Sequence, residues 1–371
     1  MMAHCKLCNT IGLKKRLKEH TINLPSFEHS QFKKISKRQI LLRCNFCNLI
    51  SLKNYNKVDK ITKNFDLARY SKTNQGKQKK IGGLNKRFIS RNNHQANFIN
   101  KISKIKFKKV LDVGCFDGSL LGLLKRKNKK IKTFGLERNK FLRSEIKKNG
   151  SEAIDNLDDI NEKLDLVIFS HSIFYLKNFA AIIKKVKNIL SEKGSILIQI
   201  PDFSKNNLNL LLGDQYYFFS NETINNVASI LNLKVTLTNK DYIKNETIFI
   251  LKKRKKKTFV KMKKDLSFLK ILKKLKIKKK ILKKTLKEDK FFILGRTIDA
   301  AFIDELYKRK VMGFFDTSEK KTGLRFRDKL VNATSINTKD YSLILPFKKI
   351  SINNLENLRG KFKKLIKIRY H

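Results

Sequence analysis

Three observations predict an α/β protein built in parts. Short apolar runs alternate with helix-length stretches over residues 101–252. A glycine turn closes the first of these runs, and two Cys-x-x-Cys pairs sit near the amino end. The parts are a cysteine module at 1–55, a parallel-sheet domain at 56–252, a basic helical linker at 253–290 and a second, smaller α/β unit at 291–371. The 371 residues suffice for two or three domains, and a hydrophobic share of 41% is enough to fill their cores. No apolar run approaches the roughly 18 residues a membrane span needs. The opening Met1-Met2-Ala3-His4-Cys5 lacks the charged-then-apolar pattern of a secretory signal. Together these lead us to expect a cytoplasmic protein without a membrane span.

The cysteine module comes first. Cys5-x-x-Cys8 and Cys44-x-x-Cys47 each place two thiols on one turn, and two such turns complete a tetrahedral site. In a chain expected to be cytoplasmic this pattern points to metal rather than disulfides. With four protein ligands no position stays open, so the expected zinc is structural. His4 and His20 lie close by but are not needed. The intervening loop is longer than in common zinc ribbons.

Residues 56–100 are polar. A loop is expected around Tyr70, Ser71, Asn74 and Gly76, and a helix from about Phe88. Strands then follow at Lys109–Val113, Lys132–Leu136, Leu164–Phe169 and Ser195–Ile200, with a closing antiparallel pair at Leu233–Thr238 and Glu246–Leu251. Helices are expected at Leu120–Arg126, Phe141–Lys148, Phe179–Leu190 and Asn221–Leu231. Strands alternating with helices in this way form a parallel sheet with crossover helices. In the linker, Phe268, Leu272, Leu275, Leu282 and Leu286 fall on one helical face. A stripe packed on the neighbouring domain is favoured there over a membrane-surface or nucleic-acid helix. The last unit begins with a strand and turn at Phe291–Gly295 and a helix at Ile298–Arg309. Strands at Val311–Phe315, before Asp316, and at Tyr341–Leu345 complete it.

The formal charge of +55 (86 Lys and Arg against 31 Asp and Glu) leaves two readings open. One is a polyanion-binding surface, with nucleic acid as partner. The other is compositional drift, with lysines on solvated faces. The lysines are spread over every segment, with few arginines or aromatics among them, and this favours drift.

The chemistry concentrates after the first sheet strand. Val110-Leu111-Asp112-Val113-Gly114-Cys115-Phe116-Asp117-Gly118 reads as a strand, a glycine turn and a helix start. Such a turn lets backbone amides approach a ligand at the mouth of a parallel sheet. Glu137 ends the next strand, where a carboxylate can accept hydrogen bonds from ribose hydroxyls. The Gly114-x-x-x-Gly118 spacing, with bulky Phe116 between, does not suit pyrophosphate, and no P-loop lysine follows. This pocket suits a ligand without phosphates.

Four segments in order resemble the Rossmann-like class I S-adenosylmethionine-dependent methyltransferases. They are Asp112–Gly118, Gly135-Leu136-Glu137, Asp165–Ser172, and Leu190-Ser191-Glu192-Lys193-Gly194 before the next strand. The resemblance implies that S-adenosyl-L-methionine is held by Asp112, Gly114, Cys115, Phe116, Gly118, Glu137, Arg138, Ser170 and His171. Over nearly the whole chain, the three-part plan is similar to that of the zinc-containing sugar C-methyltransferases, which act on deoxysugars carried on a nucleoside diphosphate. Asp214–Ser220 with its following helix, Gly295-Arg296-Thr297 and Gly313–Asp316 carry that likeness. It implies a nucleotide-linked sugar as small-molecule acceptor, with Asp214, Gln215 and Tyr216 near it. The sequence departs from the family where its presumed base, a histidine, is replaced by Gln215, and glutamine cannot remove a proton. His171 is then the next candidate base, against the commoner role of a wall residue. In the last unit only Gly295 stands in the first turn, so neither S-adenosylmethionine nor a free dinucleotide is expected there. Arg296 and Thr297 could still help hold the phosphates of a nucleotide sugar. Two other functions stay open: RNA methylation using the basic surface, and a non-catalytic scaffold.

Overall fold

In the computed structural model the chain is described over residues 4–29, 32–56, 58–60, 80–82, 88–102, 107–256, 262, 265–316, 322–332, 337–346, 356 and 358–368. The expected loop around Tyr70, Ser71, Asn74 and Gly76 lies outside them. The chain divides into two compact units, each assembled from separate stretches. The first takes 1–20, 40–206 and 215–266, and the second takes 21–39, 207–214 and 267–371.

The first unit is built on a seven-stranded sheet. In chain order its strands are β1 (Lys109–Val113), β2 (Lys132–Leu136), β3 (Glu152–Ile154), β4 (Leu164–Ser170), β5 (Leu190–Pro201), β6 (Leu233–Asn239) and β7 (Glu246–Lys253). Their spatial order is β3-β2-β1-β4-β5-β7-β6. The first five are parallel, and β7 runs antiparallel to both β5 and β6. This mixed α/β sheet is the Rossmann-like arrangement expected of a methyltransferase. The order reverses at β1: the chain passes from β1 to β2 on one side and from β4 to β5 on the other, and open α/β sheets bind ligands outside the carboxyl ends of the strands at such a point.

Local sequence explains the central strands. Leu166, Val167, Ile168 and Phe169 of β4 are all fully buried. An uninterrupted apolar run of this kind suits a strand covered on both faces. On one face Val110, Leu166, Ile168, Leu197, Ile248 and Ile250 pack with helix α1 (Arg91–Ile102) and helix α2 (Ser119–Lys127) through Phe98, Ile99, Leu120, Leu121 and Leu124. The remaining helices of the unit are α3 (Arg143–Lys148), α4 (Phe179–Ile189) and α5 (Asn221–Ile230). The side chain of Ser220 caps α5 by accepting from the Thr223 amide at 3.0 Å, an N-cap of the usual kind.

Most of the expected strands and helices are found within a few residues of their expected bounds. The helix expected from Phe88 starts three residues later, after the short strand Phe88–Ser90, which pairs with Lys80–Gly82. Strand β3 has no counterpart among the expected elements, because Glu-Ala-Ile carries neither an apolar run nor an alternation.

The cysteine pairs belong to this unit. Strand Ile50–Leu52 pairs antiparallel with Tyr217–Phe218, and Asn226 of α5 donates to the Cys47 carbonyl at 3.0 Å.

The second unit has a four-stranded sheet of β8 (Phe291–Leu294), β9 (Val311–Phe315), β10 (Ser342–Leu345) and β11 (Lys364–Lys367), in the order β9-β8-β10-β11 and all parallel. Helix α6 (Ser267–Thr285) precedes it and α7 (Ile298–Leu306) follows β8. The stripe on α6 is buried at Phe268, Ile271, Leu275 and Leu282, with Leu286 just beyond the helix, while Leu272 is half-buried. It packs against 207–211 of the same unit. No described helix is long and apolar enough to cross a membrane.

Residues 21–39, between the cysteine pairs, also join this unit. Gln39 donates to the carbonyls of Leu210 and Leu212, and Gly213 donates to that of Phe27. The excess length between the cysteine pairs is therefore a hairpin, Ser26–Phe27 with Lys34–Ser36, that packs in the second unit.

Candidate active site

The carboxyl ends of β1, β2 and β4 build the site. After β1 the chain turns through three left-handed residues, Gly114 (φ +77°), Phe116 (φ +57°) and Gly118 (φ +73°). Glycine adopts this conformation freely, whereas Phe116 is strained in it. At Gly114 a side chain is also excluded by space, since a Cβ there would lie 2.6 Å from the Ser172 Cβ. The Gly114 amide donates to the Leu136 carbonyl at 2.7 Å, which ties the turn to the end of β2. Glu137 follows directly. One carboxylate oxygen accepts from the Phe116 amide at 3.0 Å and the other from the Asn139 amide at 3.1 Å. These bonds hold the carboxylate in place and leave it acceptor capacity for hydroxyl groups.

Asp112 is buried inside this arrangement, and its Oδ1 has no hydrogen-bond partner among the described residues. Burial, with the Glu137 charge adding to it, pushes its carboxyl up to about 8. The Ser172 hydroxyl, packed against Gly114, is likewise buried without a partner. Orphaned buried polar groups are costly unless a ligand meets them. A cationic ligand with hydrogen-bond donors answers both, and S-adenosylmethionine carries a sulfonium and an ammonium. The residues present fit that cofactor.

Of the other expected cofactor residues, Cys115 is buried, with its thiol pushed well up by burial. A Cβ on Gly135 would meet its sulfur at 2.7 Å, so Cys115 interlocks with β2. Phe116 and Arg138 are both exposed. Ser170 ends β4 and accepts from the Gln95 side chain.

His171 takes a left-handed conformation (φ +54°), which costs a non-glycine residue about 1 kcal/mol or more. Its amide donates to the Gln199 carbonyl at 3.0 Å. Its Nε2 lies 2.9 Å from Oε2 of Glu246, the first residue of β7. Arg91 donates to Oε1 of the same carboxylate at 2.9 Å, and the Gln199 side chain donates to Oε2. Burial alone would raise Glu246. The neighbouring His171, together with Arg91 and Gln199, more than offsets this and holds it down at about 2. Sequence reasoning missed Glu246, Gln95 and Gln199 because no local pattern marks them.

Asp214, Gln215 and Tyr216 are all buried. In the second unit Asp214 accepts from the His29 amide at 2.7 Å. In the first, the Tyr216 hydroxyl donates to Asp59 and its amide to the Phe174 carbonyl. Thr297 caps α7 through the Ala300 amide, and Arg296 lies 3.5 Å from Asp316.

The four cysteines expected to bind metal do come together. Cys5, Cys8, Cys44 and Cys47 are fully buried, and their sulfurs all lie within 4.8 Å of one another. Two of the separations are 3.5 Å (Cys5–Cys47) and 3.7 Å (Cys8–Cys44). A tetrahedral ion with metal–sulfur bonds of about 2.3 Å requires sulfurs roughly 3.8 Å apart, whereas a disulfide would need about 2.05 Å. Hydrogen bonds from the other three thiols hold Cys44 low, while those to Cys44 push Cys47 and Cys8 up.

Residues 86–242 match a protein family described as a methyltransferase domain. No curated protein sequence matches the chain. Among solved structures, the mitomycin 7-O-methyltransferase MmcR is similar at 14% identity and a TM-score of 0.38, over 44% of this chain and 54% of its own. The chain thus spans about half the length of that protein. An S-adenosylmethionine-dependent methyltransferase from Clostridium acetobutylicum ATCC 824 is similar at 16% identity and a TM-score of 0.38, over 53% of this chain and 98% of its own. The match to a methyltransferase domain thus covers the seven-stranded sheet as far as β6, and not the sheet of the second unit.

The site yields two predictions. Glu137→Ala should weaken S-adenosylhomocysteine binding by about 1.5–3 kcal/mol, the usual loss for charge-assisted hydrogen bonds; unchanged affinity in calorimetry refutes the placement. The second concerns Asp112, whose folded pKa is raised. Its contribution to stability is complete below about pH 4 and is lost as pH rises through about 8. The stability of Asp112→Asn relative to wild type should therefore grow from pH 5 to pH 8 in denaturant titrations of ligand-free protein. A pH-independent difference contradicts the assignment.

Proposed function

We propose that the chain transfers a methyl group from S-adenosylmethionine to a nucleotide-linked sugar or a related small molecule, and that Cys5, Cys8, Cys44 and Cys47 hold one structural zinc ion. The observation that carries the acceptor reading is the three-part plan: paired Cys-x-x-Cys turns, a methyltransferase sheet and a second parallel α/β unit. That plan resembles the zinc-containing sugar C-methyltransferases.

When bound, the sulfonium cofactor supplies a methyl group already activated for transfer. The chain's task is to bind and orient. Glu137 accepts hydrogen bonds from ribose hydroxyls, the Gly114 turn admits the ligand against bare backbone, and Asp112 balances positive charge. Carbon methylation also needs a base to take the acceptor's proton. Gln215 cannot serve, and His171, beside the Gly114 turn through its neighbour Ser172, is the base in this reading.

Methyl transfer from labelled S-adenosylmethionine should be assayed against a panel of keto-deoxysugars linked to nucleoside diphosphates, with total RNA in parallel. Label on a sugar, with weak dependence on salt, is the expected result. Label on RNA, with binding that falls steeply as salt rises, would replace this reading by RNA methylation, and cofactor binding without transfer to any acceptor would favour a scaffold. For the metal, elemental analysis of protein purified without added metal should give about one zinc per chain, lost in the double variant Cys44→Ala, Cys47→Ala. Zinc-free wild type, or a double variant that keeps its zinc, overturns the assignment.

A further inference from the structure

His171 and Glu246 are 75 residues apart in sequence, yet their side chains meet at 2.9 Å. The partners of the carboxylate define the imidazole's state. Glu246 is buried and receives three donors: His171 Nε2, Arg91 Nε and Gln199 Nε2. The Gln199 amide is itself oriented, because its Oε1 accepts from the Gln95 side chain at 2.7 Å. An ionised carboxylate can only accept, so the imidazole nitrogen facing it must carry the proton. In the neutral ring the other nitrogen, Nδ1, then has a free lone pair, and no hydrogen bond engages it among the described residues. The ring retains 20% exposure, and the edge of Phe174 packs against it at 6.3 Å between centroids. Among the described residues, the charged groups that face His171 are Glu246 from β7 and, behind it, Arg91 from α1; Gln199 of β5 and Phe174 are neutral.

We propose that Glu246 is a positioning residue that fixes His171 with Nε2–H toward the carboxylate and Nδ1 as the proton acceptor for the methylated substrate. Arg91 and the Gln95–Gln199 relay hold Glu246 in that role. This assignment rests on the methyltransferase reading. In the step it serves, the acceptor's proton passes to Nδ1. The electron pair of the broken bond to hydrogen forms the new bond to the methyl carbon, and the sulfur–methyl bond breaks with its pair remaining on sulfur. The imidazolium then returns its proton to water. Glu246 stabilises the transient imidazolium, and Arg91, sharing the same carboxylate, tempers that effect.

The test begins with the wild-type protein, full-length and saturated with S-adenosylhomocysteine. Nitrogen-15 NMR on histidine-labelled protein, with the His171 signal assigned by its loss in His171→Asn, should show the Nε2–H tautomer at high pH. In Glu246→Gln the His171 pKa should fall by about one to three units, since an opposite charge at this range shifts a neighbour by that much. In Arg91→Met it should rise. A residue of merely structural importance would not move the pKa in opposite directions in the two variants. With an acceptor that supports turnover, the acidic limb of kcat/KM should move with the His171 pKa in each variant, while S-adenosylhomocysteine affinity stays within about twofold of wild type. An Nδ1–H tautomer in the wild type, or shifts of the same sign in the two variants, overturns the proposal. If the saturating ligand does not bind at all, the methyltransferase reading fails instead, and the two failures are distinct.

Discussion

The hydrogen bond from the Gly114 amide to the Leu136 carbonyl draws the first turn of the sheet onto the end of the neighbouring strand. The local geometry of the site follows from that closure. The chain must reverse sharply, so three of five residues from Gly114 to Gly118 take left-handed conformations. Reversal brings the Phe116 amide onto Glu137 and the backbone of Gly114 against Ser172 at the end of β4. The carboxyl ends of three strands thereby meet with little side-chain bulk between them. A side chain at Gly114 would push that junction apart.

Two buried carboxylates within this domain are treated in opposite ways. Asp112 has an oxygen without a donor and is pushed up to about 8, whereas Glu246 gathers three donors and is held at about 2. A buried carboxylate ionises only where partners replace its lost hydration. The first is therefore suited to meet a cation that arrives, and the second to orient a neighbour that is already there. The large positive charge of the chain is a separate matter. Its lysines include several that pair on the surface, such as Lys132 with Glu162 and Lys185 with Asp158, in contacts that contribute little to stability.

The strands and the cofactor turn could be read from the sequence because the physics behind them is local. Leu164 to Ser170 is an apolar run of strand length, and Gly114 and Gly118 sit where left-handed backbone is required. Paired Cys-x-x-Cys turns likewise carry their own geometry. The polar network was not legible. Glu246 looks like the first residue of an apolar strand, and its partners lie 155 and 75 positions away. Strand β3 was hidden because its pairing with β2 is set by the sheet rather than by its own three residues. The hairpin at 21–39 read only as excess length between cysteines, since its packing with 207–214 depends on tertiary contacts such as those of Gln39.

The central claim is that the cofactor lies across the carboxyl ends of β1, β2 and β4. A crystal structure of the full chain with S-adenosylhomocysteine tests it most directly. Ribose hydroxyls should then lie on Glu137, the amino group toward Asp112, and the sulfur on the side that holds His171. Density for the ligand in the unit that carries Phe291–Leu294, or a ribose with no contact to Glu137, would contradict it.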